Sequence, residues 1–223
     1  MGDTAIPPSA FAFLRALKRN NDRSWFNANK ERYVAELRDP LLHFIAAFAP
    51  KLAKINRHLI ADPSPNGGSL FRIYRDTRFA KDKSPYKTHA GLYFAPPGGR
   101  ESPGAGFYLH VEPGNVFMGA GIWHPDPDTL KRIRDALVAK PAAWKKASKT
   151  VPLDDGERLS RPPRGYDPEH PLVEDLKRKS FTTTREFTEA QASAPDFADR
   201  YAAACRDAVP LMKFLAGAVG VPW

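Results

Sequence analysis

The segment from Phe107 to Gly121 constrains the fold of this chain most strongly. Two runs in which apolar residues alternate with others flank the dipeptide Pro113-Gly114, and this pattern indicates a β-hairpin. In the register that such a turn sets, one face pairs Phe107 with Ala120, Leu109 with Met118 and Val111 with Val116. The other face places Tyr108 over Gly119 and His110 over Phe117, with Glu112 near the turn. The hairpin therefore predicts a sheet with one buried face and one mixed face that lines a groove.

Helical patterns lie on both sides of this hairpin. Apolar residues recur at helical spacing from Ser9 to Asn20, from Asp22 to the residue before Pro40, from Leu41 to Leu59, from Asp126 to Leu137 and from Asp196 to Leu215. Alternating or β-branched stretches predict further strands at 70–76, 91–95 and 181–187. We therefore predict an α+β fold in which helices from both ends of the chain pack on a central, mostly antiparallel sheet. Residues 1–223 show no repeat and no linker, so we expect one domain.

The composition favours anionic partners. The chain of 223 residues carries 34 Lys and Arg against 25 Asp and Glu, which is a formal charge of +9. It contains no apolar stretch of membrane-spanning length, so we expect no membrane contact. Cys205 is the only cysteine, which excludes an internal disulfide and suits the reducing cytoplasm. We predict a cytoplasmic protein, and the sequence leaves its oligomeric state open.

Residues 71–89 hold the greatest concentration of charge. They contain six basic and two acidic residues, which supply +4 of the formal charge, and four aromatic side chains stand among the charges. Arginine and lysine bind phosphate and carboxylate groups, and the aromatic residues indicate a partly buried site. We predict a pocket for a small phosphorylated or carboxylated ligand where this stretch meets the sheet face. Its predicted ligand-binding residues are Arg72, Tyr74, Arg75, Asp76, Arg78, Lys83, Tyr86, Lys87, His89, Tyr108 and His110.

Two other interpretations of the basic stretch stay open. Basic residues interleaved with aromatic ones are typical of proteins that bind single-stranded nucleic acid, and a second basic cluster at Arg158, Arg161 and Arg164 would extend the track. No known nucleic-acid-binding motif accompanies them. The third interpretation is a structural or protein-interaction domain, in which Asp76, Asp82 and other carboxylates neutralise the cations. Two local carboxylates cannot balance six cations, and this favours the anion pocket over an internal network.

The sequence shows no signature of a particular reaction. His89 closes the basic stretch and is the candidate for acid–base catalysis beside a bound phosphate. His110 and Glu112 share a strand face at a spacing that suits a metal ion, but a third ligand is not identifiable, so no metal is predicted. The glycines of the hairpin do not form a phosphate-binding loop of a known kind, and we predict no cofactor.

The motif residues resemble those of a known family. Arg72-Ile-Tyr-Arg-Asp-Thr-Arg-Phe79 and Lys81-Asp-Lys-Ser-Pro-Tyr-Lys-Thr-His89 are similar to the signature of the bacterial and fungal family known as domain of unknown function 2461. The similarity extends to Asn20-Asn21 and to residues 161–168, and it covers residues 9–215. No activity is established for the family, so the resemblance implies no catalytic residue.

Overall fold

The computed structural model describes residues 4–98 and 104–223 of the protein. Its helices are α1 (Pro8–Arg19), α2 (Arg23–Ala28), α3 (Lys30–Arg32), α4 (Asp39–Ile55), α5 (Pro127–Ala139), α6 (Pro141–Ser148), α7 (Val173–Leu176), α8 (Glu189–Ala192), α9 (Phe197–Asp207) and α10 (Val209–Val219), with a π-helical segment at Tyr33–Arg38. Its strands are β1 (Ala90–Phe94), β2 (Gly106–Glu112), β3 (Asn115–Ile122) and β4 (Phe181–Phe187). These described strands form an antiparallel sheet in the order β1-β2-β3-β4. The predicted α+β fold is confirmed.

The hairpin of β2 and β3 has the register that the sequence predicts. Its apolar pairs are Phe107 with Ala120, Leu109 with Met118 and Val111 with Val116. All six side chains are buried, and α1, α9 and α10 contact these two strands. Because side chains alternate between the faces of a strand, the remaining residues of the hairpin point to the opposite face. The helices thus cover one face of the sheet and leave the mixed face for other contacts.

Aromatic rings join the sheet to the helices that cover it. The Phe48 ring of α4 lies 4.9 Å from the Phe94 ring of β1 and 4.9 Å from the Tyr201 ring of α9. All three side chains are fully buried, and each contributes a large apolar surface. This packing holds β1 against α4 and α9 on the core side.

The N-terminal helices depart from the prediction at a proline. Asp22 caps α2 as expected, because its side chain accepts a hydrogen bond from Trp25 N at 2.8 Å. The predicted helix end before Pro40 is wrong. The π-helical segment passes directly into α4, and Pro40 lies in the first turn of α4. The predicted extension to Leu59 is also wrong, because Asn56 is extended and ends α4.

The strand predicted at 70–76 is not one of the strands of the sheet. Its first part lies along the edge of β1, where Phe71 N donates a hydrogen bond to Gly91 O at 2.9 Å. The chain then leaves this edge, and Arg75 N donates to Pro85 O at 2.9 Å. Pro85 has no N–H to donate in return, so the second pairing does not grow into a ladder. The segment is extended but is divided between two partners.

The C-terminal part follows the sequence pattern with one correction. β4 pairs with β3 at the edge of the sheet, and Thr188 and Gln191 form the predicted capping box. The sequence predicts one long helix at the end of the chain, but the structure has two, which meet at Ala208. The reason is that Pro210 fits the first turn of α10 but not the interior of a longer helix. Within residues 4–98 and 104–223, no helix combines the length and the apolar character needed to cross a membrane.

Candidate functional site

A chain of hydrogen bonds runs along the outer face of β2. Tyr108 Oη lies 3.1 Å from His110 Nδ1, and His110 Nε2 lies 3.3 Å from Glu112 Oε2. An ionised carboxylate only accepts hydrogen bonds, so Nε2 carries the ring proton and Nδ1 accepts from the Tyr108 hydroxyl. His110 is 9% exposed, and burial lowers the pKa of its ring although Glu112 opposes this effect. The imidazole is therefore a neutral link between a phenol and a carboxylate.

His89 lies against His110. The centres of the two imidazole rings are 4.6 Å apart, and the Phe117 ring stacks on His110 at 4.8 Å. No residue in the described part of the chain forms a hydrogen bond with the His89 ring. Burial, followed by the nearness of His110, lowers the pKa of His89 to about 4. Both imidazoles are therefore uncharged near neutral pH, and the His89 nitrogens are available to a ligand.

Lys87 and Phe71 close this group on the side of β1. Lys87 Nζ lies 5.5 Å from the centre of the Phe71 ring, which lies 5.9 Å from the Tyr108 ring. Gly91 is opposite His110 in the sheet, and a Cβ atom at Gly91 would lie 2.6 Å from Tyr108 Oη. The absence of a side chain at Gly91 therefore lets the Tyr108 phenol lie across β1. We call Lys87, His89, Tyr108, His110 and Glu112 the sheet-face cluster.

Asn21 attaches the basic stretch to the N-terminal helices. Its side-chain amide donates to Tyr86 O at 3.0 Å and accepts from Tyr86 N at 3.1 Å. The Tyr86 ring is 3% exposed and stacks on Phe26 with the ring centres 4.0 Å apart. Tyr74 is 57% exposed, and the centre of its ring lies 5.5 Å from the centre of the Tyr86 ring. Tyr86, predicted to bind a ligand, is thus an anchor of the segment that carries Lys87 and His89.

Residues 75–84, which we call the basic loop, pair their arginines internally. Arg78 Nη2 lies 2.7 Å from Asp76 Oδ2, and Arg75 forms an ion pair with Asp82. The hydrogen bonds from Arg78 lower the pKa of Asp76 to about 2. Both guanidinium groups of the loop therefore already bind carboxylates.

The remaining groups of the basic loop shape its tip. Lys83 Nζ donates a hydrogen bond to the carbonyl oxygen of Thr77 at 2.9 Å, which links the two ends of the tip. Phe79 is 96% exposed, and the guanidinium carbon of Arg78 lies 6.0 Å from the centre of its ring. The loop thus holds an aromatic ring in solvent on a hydrogen-bonded backbone.

Arg72 lies apart from the other predicted ligand-binding residues. It is exposed and forms no ion pair within the described residues. It lines a groove of about 460 Å³ together with Phe71, Tyr93 and the backbone of Gly68. Asp62 lines the same groove and places a negative charge there.

The structure divides the predicted ligand-binding residues among four places. Lys87, His89, Tyr108 and His110 come together; Arg75, Asp76, Arg78 and Lys83 form the basic loop; Tyr74 and Tyr86 pack near Phe26; and Arg72 lies in the groove. Sequence reasoning left Glu112 out of the site, although the hairpin register already placed it on the face of His110. Within residues 4–98 and 104–223, no group of three or more His, Cys, Asp or Glu side chains is arranged to hold a metal ion.

The fold and the site define an α+β protein whose antiparallel sheet has helices on one face and a histidine-containing polar cluster on the other. Residues 9–214 match the family model described as "Conserved hypothetical protein (DUF2461)", so the chain belongs to this family. The resemblance of its motif residues is confirmed. No curated protein and no solved structure matches the chain. The family description names no ligand, and the function has to be argued from the site.

Proposed function

We propose that the sheet-face cluster binds a small anionic ligand that carries a phosphoryl or carboxyl group. The observation that carries this proposal is the meeting of Lys87 and His89 with the Tyr108–His110–Glu112 hydrogen-bond chain on the outer face of β2. Lys87 supplies a positive charge, and the neutral His89 ring supplies an N–H donor. The arginine pairs of the basic loop do not compete for the ligand, because their charge is already balanced.

The one carboxylate of the cluster is itself partly balanced. Glu112 accepts from His110, and its other oxygen lies 3.8 Å from Lys18 Nζ on α1. These two contacts hold the carboxylate at one end of the hydrogen-bond chain. An anion beside His89 therefore meets the positive charge of Lys87, which lies close enough to His89 to lower its pKa.

Isothermal calorimetry with inorganic phosphate, nucleotides, sugar phosphates and dicarboxylates tests the proposal. We expect at least one of these ligands to bind, and Lys87→Met to weaken its binding about tenfold or more, because a charge-assisted hydrogen bond is lost. Arg78→Ala is the matched control: it also removes one positive charge from residues 71–89, but from an exposed ion pair at the loop. The proposal fails if no ligand binds, or if the two variants weaken binding equally.

A second candidate function is the binding of single-stranded nucleic acid by the basic loop. The observation that favours it is the exposed Phe79 ring beside the Arg78 guanidinium, since bases stack on such rings and contribute about 1–3 kcal/mol each. Fluorescence polarisation with a labelled single strand at two salt concentrations tests it. Phe79→Ala is expected to weaken binding at both salt concentrations. If the affinity depends on salt but is unchanged by this substitution, the candidate function is contradicted.

A further inference from the structure

The hydrogen-bond chain on β2 has the order of groups that activates a nucleophile. A hydroxyl group becomes a nucleophile when a neighbouring base takes its proton, and the base in turn needs a third group that fixes its orientation. Tyr108 Oη lies 3.1 Å from His110 Nδ1, and His110 Nε2 lies 3.3 Å from Glu112 Oε2. The phenol, the imidazole and the carboxylate thus occupy, in this order, the positions of nucleophile, base and orienting group.

The geometry of β2 explains how these three side chains meet. They are spaced two residues apart on one strand, so all of them point to the outer face of the sheet. The hairpin register places Phe117 opposite His110, and the two rings stack with their centres 4.8 Å apart. Glu112 and the Phe117 ring therefore fix the plane of the imidazole, and Nδ1 is directed at the Tyr108 hydroxyl.

The surroundings of His110 allow it to accept a proton. Its ring contacts His89 from the segment before β1 and Glu112 on its own strand, and Lys18 of α1 lies 3.8 Å from Glu112. Burial lowers the pKa of His110, so the ring is neutral near pH 7. Glu112 acts in the opposite direction and stabilises the imidazolium form that results when the ring takes the proton of Tyr108.

We infer that Tyr108 is a nucleophile, that His110 is its general base and that Glu112 is the positioning residue of that base. The substrate class is an ester, because the acyl group on a phenol oxygen is itself readily hydrolysed. Tyr108 is partly exposed and can meet a substrate, whereas His110 is buried behind it. This inference goes beyond the proposed anion site, and it requires no charge at Lys87 or Arg75.

The reaction has two steps in which His110 first takes a proton and then returns it. The Tyr108 oxygen forms a bond to the acyl carbon while its proton passes to His110 Nδ1, and the imidazolium gives that proton to the departing alkoxide. Water then attacks the acyl carbon and gives a proton to His110, which returns it to the Tyr108 oxygen as the acid leaves. The net change is the hydrolysis of an ester to an acid and an alcohol.

The first test compares two tyrosines of the same protein. Phenylmethanesulfonyl fluoride is the probe, because a tyrosine oxygen displaces fluoride from its sulfur, and mass spectrometry of peptides gives the rate at each tyrosine. Tyr74 is the internal control, since it is 57% exposed and packs against Phe26 and Tyr86 instead of a histidine. Exposure alone predicts faster reaction at Tyr74. We expect Tyr108 to react about tenfold faster or more at pH 7, and a rate no higher than that of Tyr74 would overturn the inference.

The dependence of labelling on pH separates a role of Glu112 in the reaction from a merely structural one. The rate at Tyr108 should level off below neutral pH, once His110 has lost its proton, whereas a tyrosine without a base becomes more reactive up to a pH of about 10. Glu112→Gln removes a group that raises the pKa of His110, so it should slow labelling and move the levelling-off to lower pH. Glu186→Gln, on the outer face of β4 opposite Phe117, is the matched control. Identical pH profiles for the two variants would overturn the role of Glu112.

The ester class is tested with p-nitrophenyl acetate. Tyr108→Phe keeps the ring and removes the nucleophilic oxygen, and we expect it to slow the release of p-nitrophenolate by about tenfold or more. Release at the unsubstituted rate would overturn the ester class, even if the sulfonyl fluoride labels Tyr108. The labelling comparison within the unsubstituted protein does not depend on the folding of any variant. If calorimetry finds no anion that binds, the proposed function falls and this inference stands.

Discussion

The basic loop and the sheet-face cluster come from one stretch of sequence, but they hold their charge in different ways. In the loop, Arg75 and Arg78 each bind a carboxylate that lies within seven residues along the chain. In the cluster, Lys87 and His89 meet β2, whose nearest carboxylate, Glu112, is already bound by His110. The density of charge in the sequence is greatest in the loop, whereas the groups that we propose bind a ligand lie in the cluster.

This difference shows what a count of charges misses. Surface ion pairs between residues a few positions apart form with little ordering of the chain, so they neutralise cations wherever an aspartate is near in sequence. The partners of His89 instead come from another strand and depend on the fold. We therefore expect substitutions that disturb the sheet face or its anchor to have large effects, and substitutions of the loop pairs to have small ones.

The largest effect is expected from Gly91→Val, because a side chain at this position would displace the centre of the cluster. A Cβ atom there would lie 2.6 Å from Tyr108 Oη and 2.8 Å from Phe71 Cδ2. We expect a loss of about 1–3 kcal/mol in the free energy of unfolding, as for other overpacked sites, together with loss of anion binding. Urea denaturation and calorimetry measure the two effects.

Gly119→Ala is the matched control for Gly91→Val. Gly119 lies on the same outer face, opposite Tyr108, but a Cβ atom there would come no closer than 3.7 Å to its nearest neighbour, Tyr108 Cβ. We expect nearly unchanged stability. If Gly91→Val leaves stability and binding as unaffected as Gly119→Ala does, the Tyr108 phenol does not lie across β1.

Asn21→Ala is expected to have the next largest effect. It removes both hydrogen bonds to the backbone of Tyr86, and we expect this to lower the free energy of unfolding by about 1–2 kcal/mol and to weaken anion binding, because the segment that carries His89 loses its anchor. Asn20→Ala, which removes one exposed hydrogen bond to Ala16 O, is the control. Equal urea midpoints for the two variants would contradict the anchoring role.

The hairpin shows how much of the fold and site the sequence predicts. A period of two residues around a short turn leaves one register that buries the apolar side chains, and the same register places Tyr108, His110 and Glu112 together on the other face. The strand at 70–76 was predicted wrongly, since alternation shows that a segment is extended but not whether it pairs with the sheet. Pro85, in the opposite segment, decides that point.

The contacts that complete the site were beyond the sequence pattern. His89 meets His110, and Asn21 binds Tyr86, which is 65 residues away along the chain. Neither pair has a fixed spacing or a shared periodicity, because each depends on how the N-terminal helices and the basic stretch pack on the sheet. The arginine pairs of the loop were predictable as one of the alternatives, since Asp76 and Asp82 lie inside the stretch itself.

A change of pH is expected to have a smaller effect on the free energy of unfolding. His89 titrates near its ordinary pKa of 6.5 when unfolded but at about 4 when folded, so the unfolded chain binds more protons between these values. Stability therefore falls as the pH drops from about 6.5 towards 4, and changes no further from this source below that. His89→Gln should reduce this dependence of stability on pH. Urea midpoints of the unsubstituted protein and of His89→Gln at about pH 7 and pH 5 measure this dependence. The same change in midpoint between the two pH values in both proteins would contradict the lowered pKa of His89.

The smallest effect is expected from Asp76→Ala, which breaks the exposed pair with Arg78 in the basic loop. Both side chains are more than half exposed, so water and salt already screen their attraction, and we expect the urea midpoint to stay within error. The substitution also frees the Arg78 guanidinium, so anion affinity measured by calorimetry distinguishes the two regions. If Asp76→Ala strengthens binding of the anionic ligand severalfold, the loop is part of the site and the contrast with the sheet-face cluster fails.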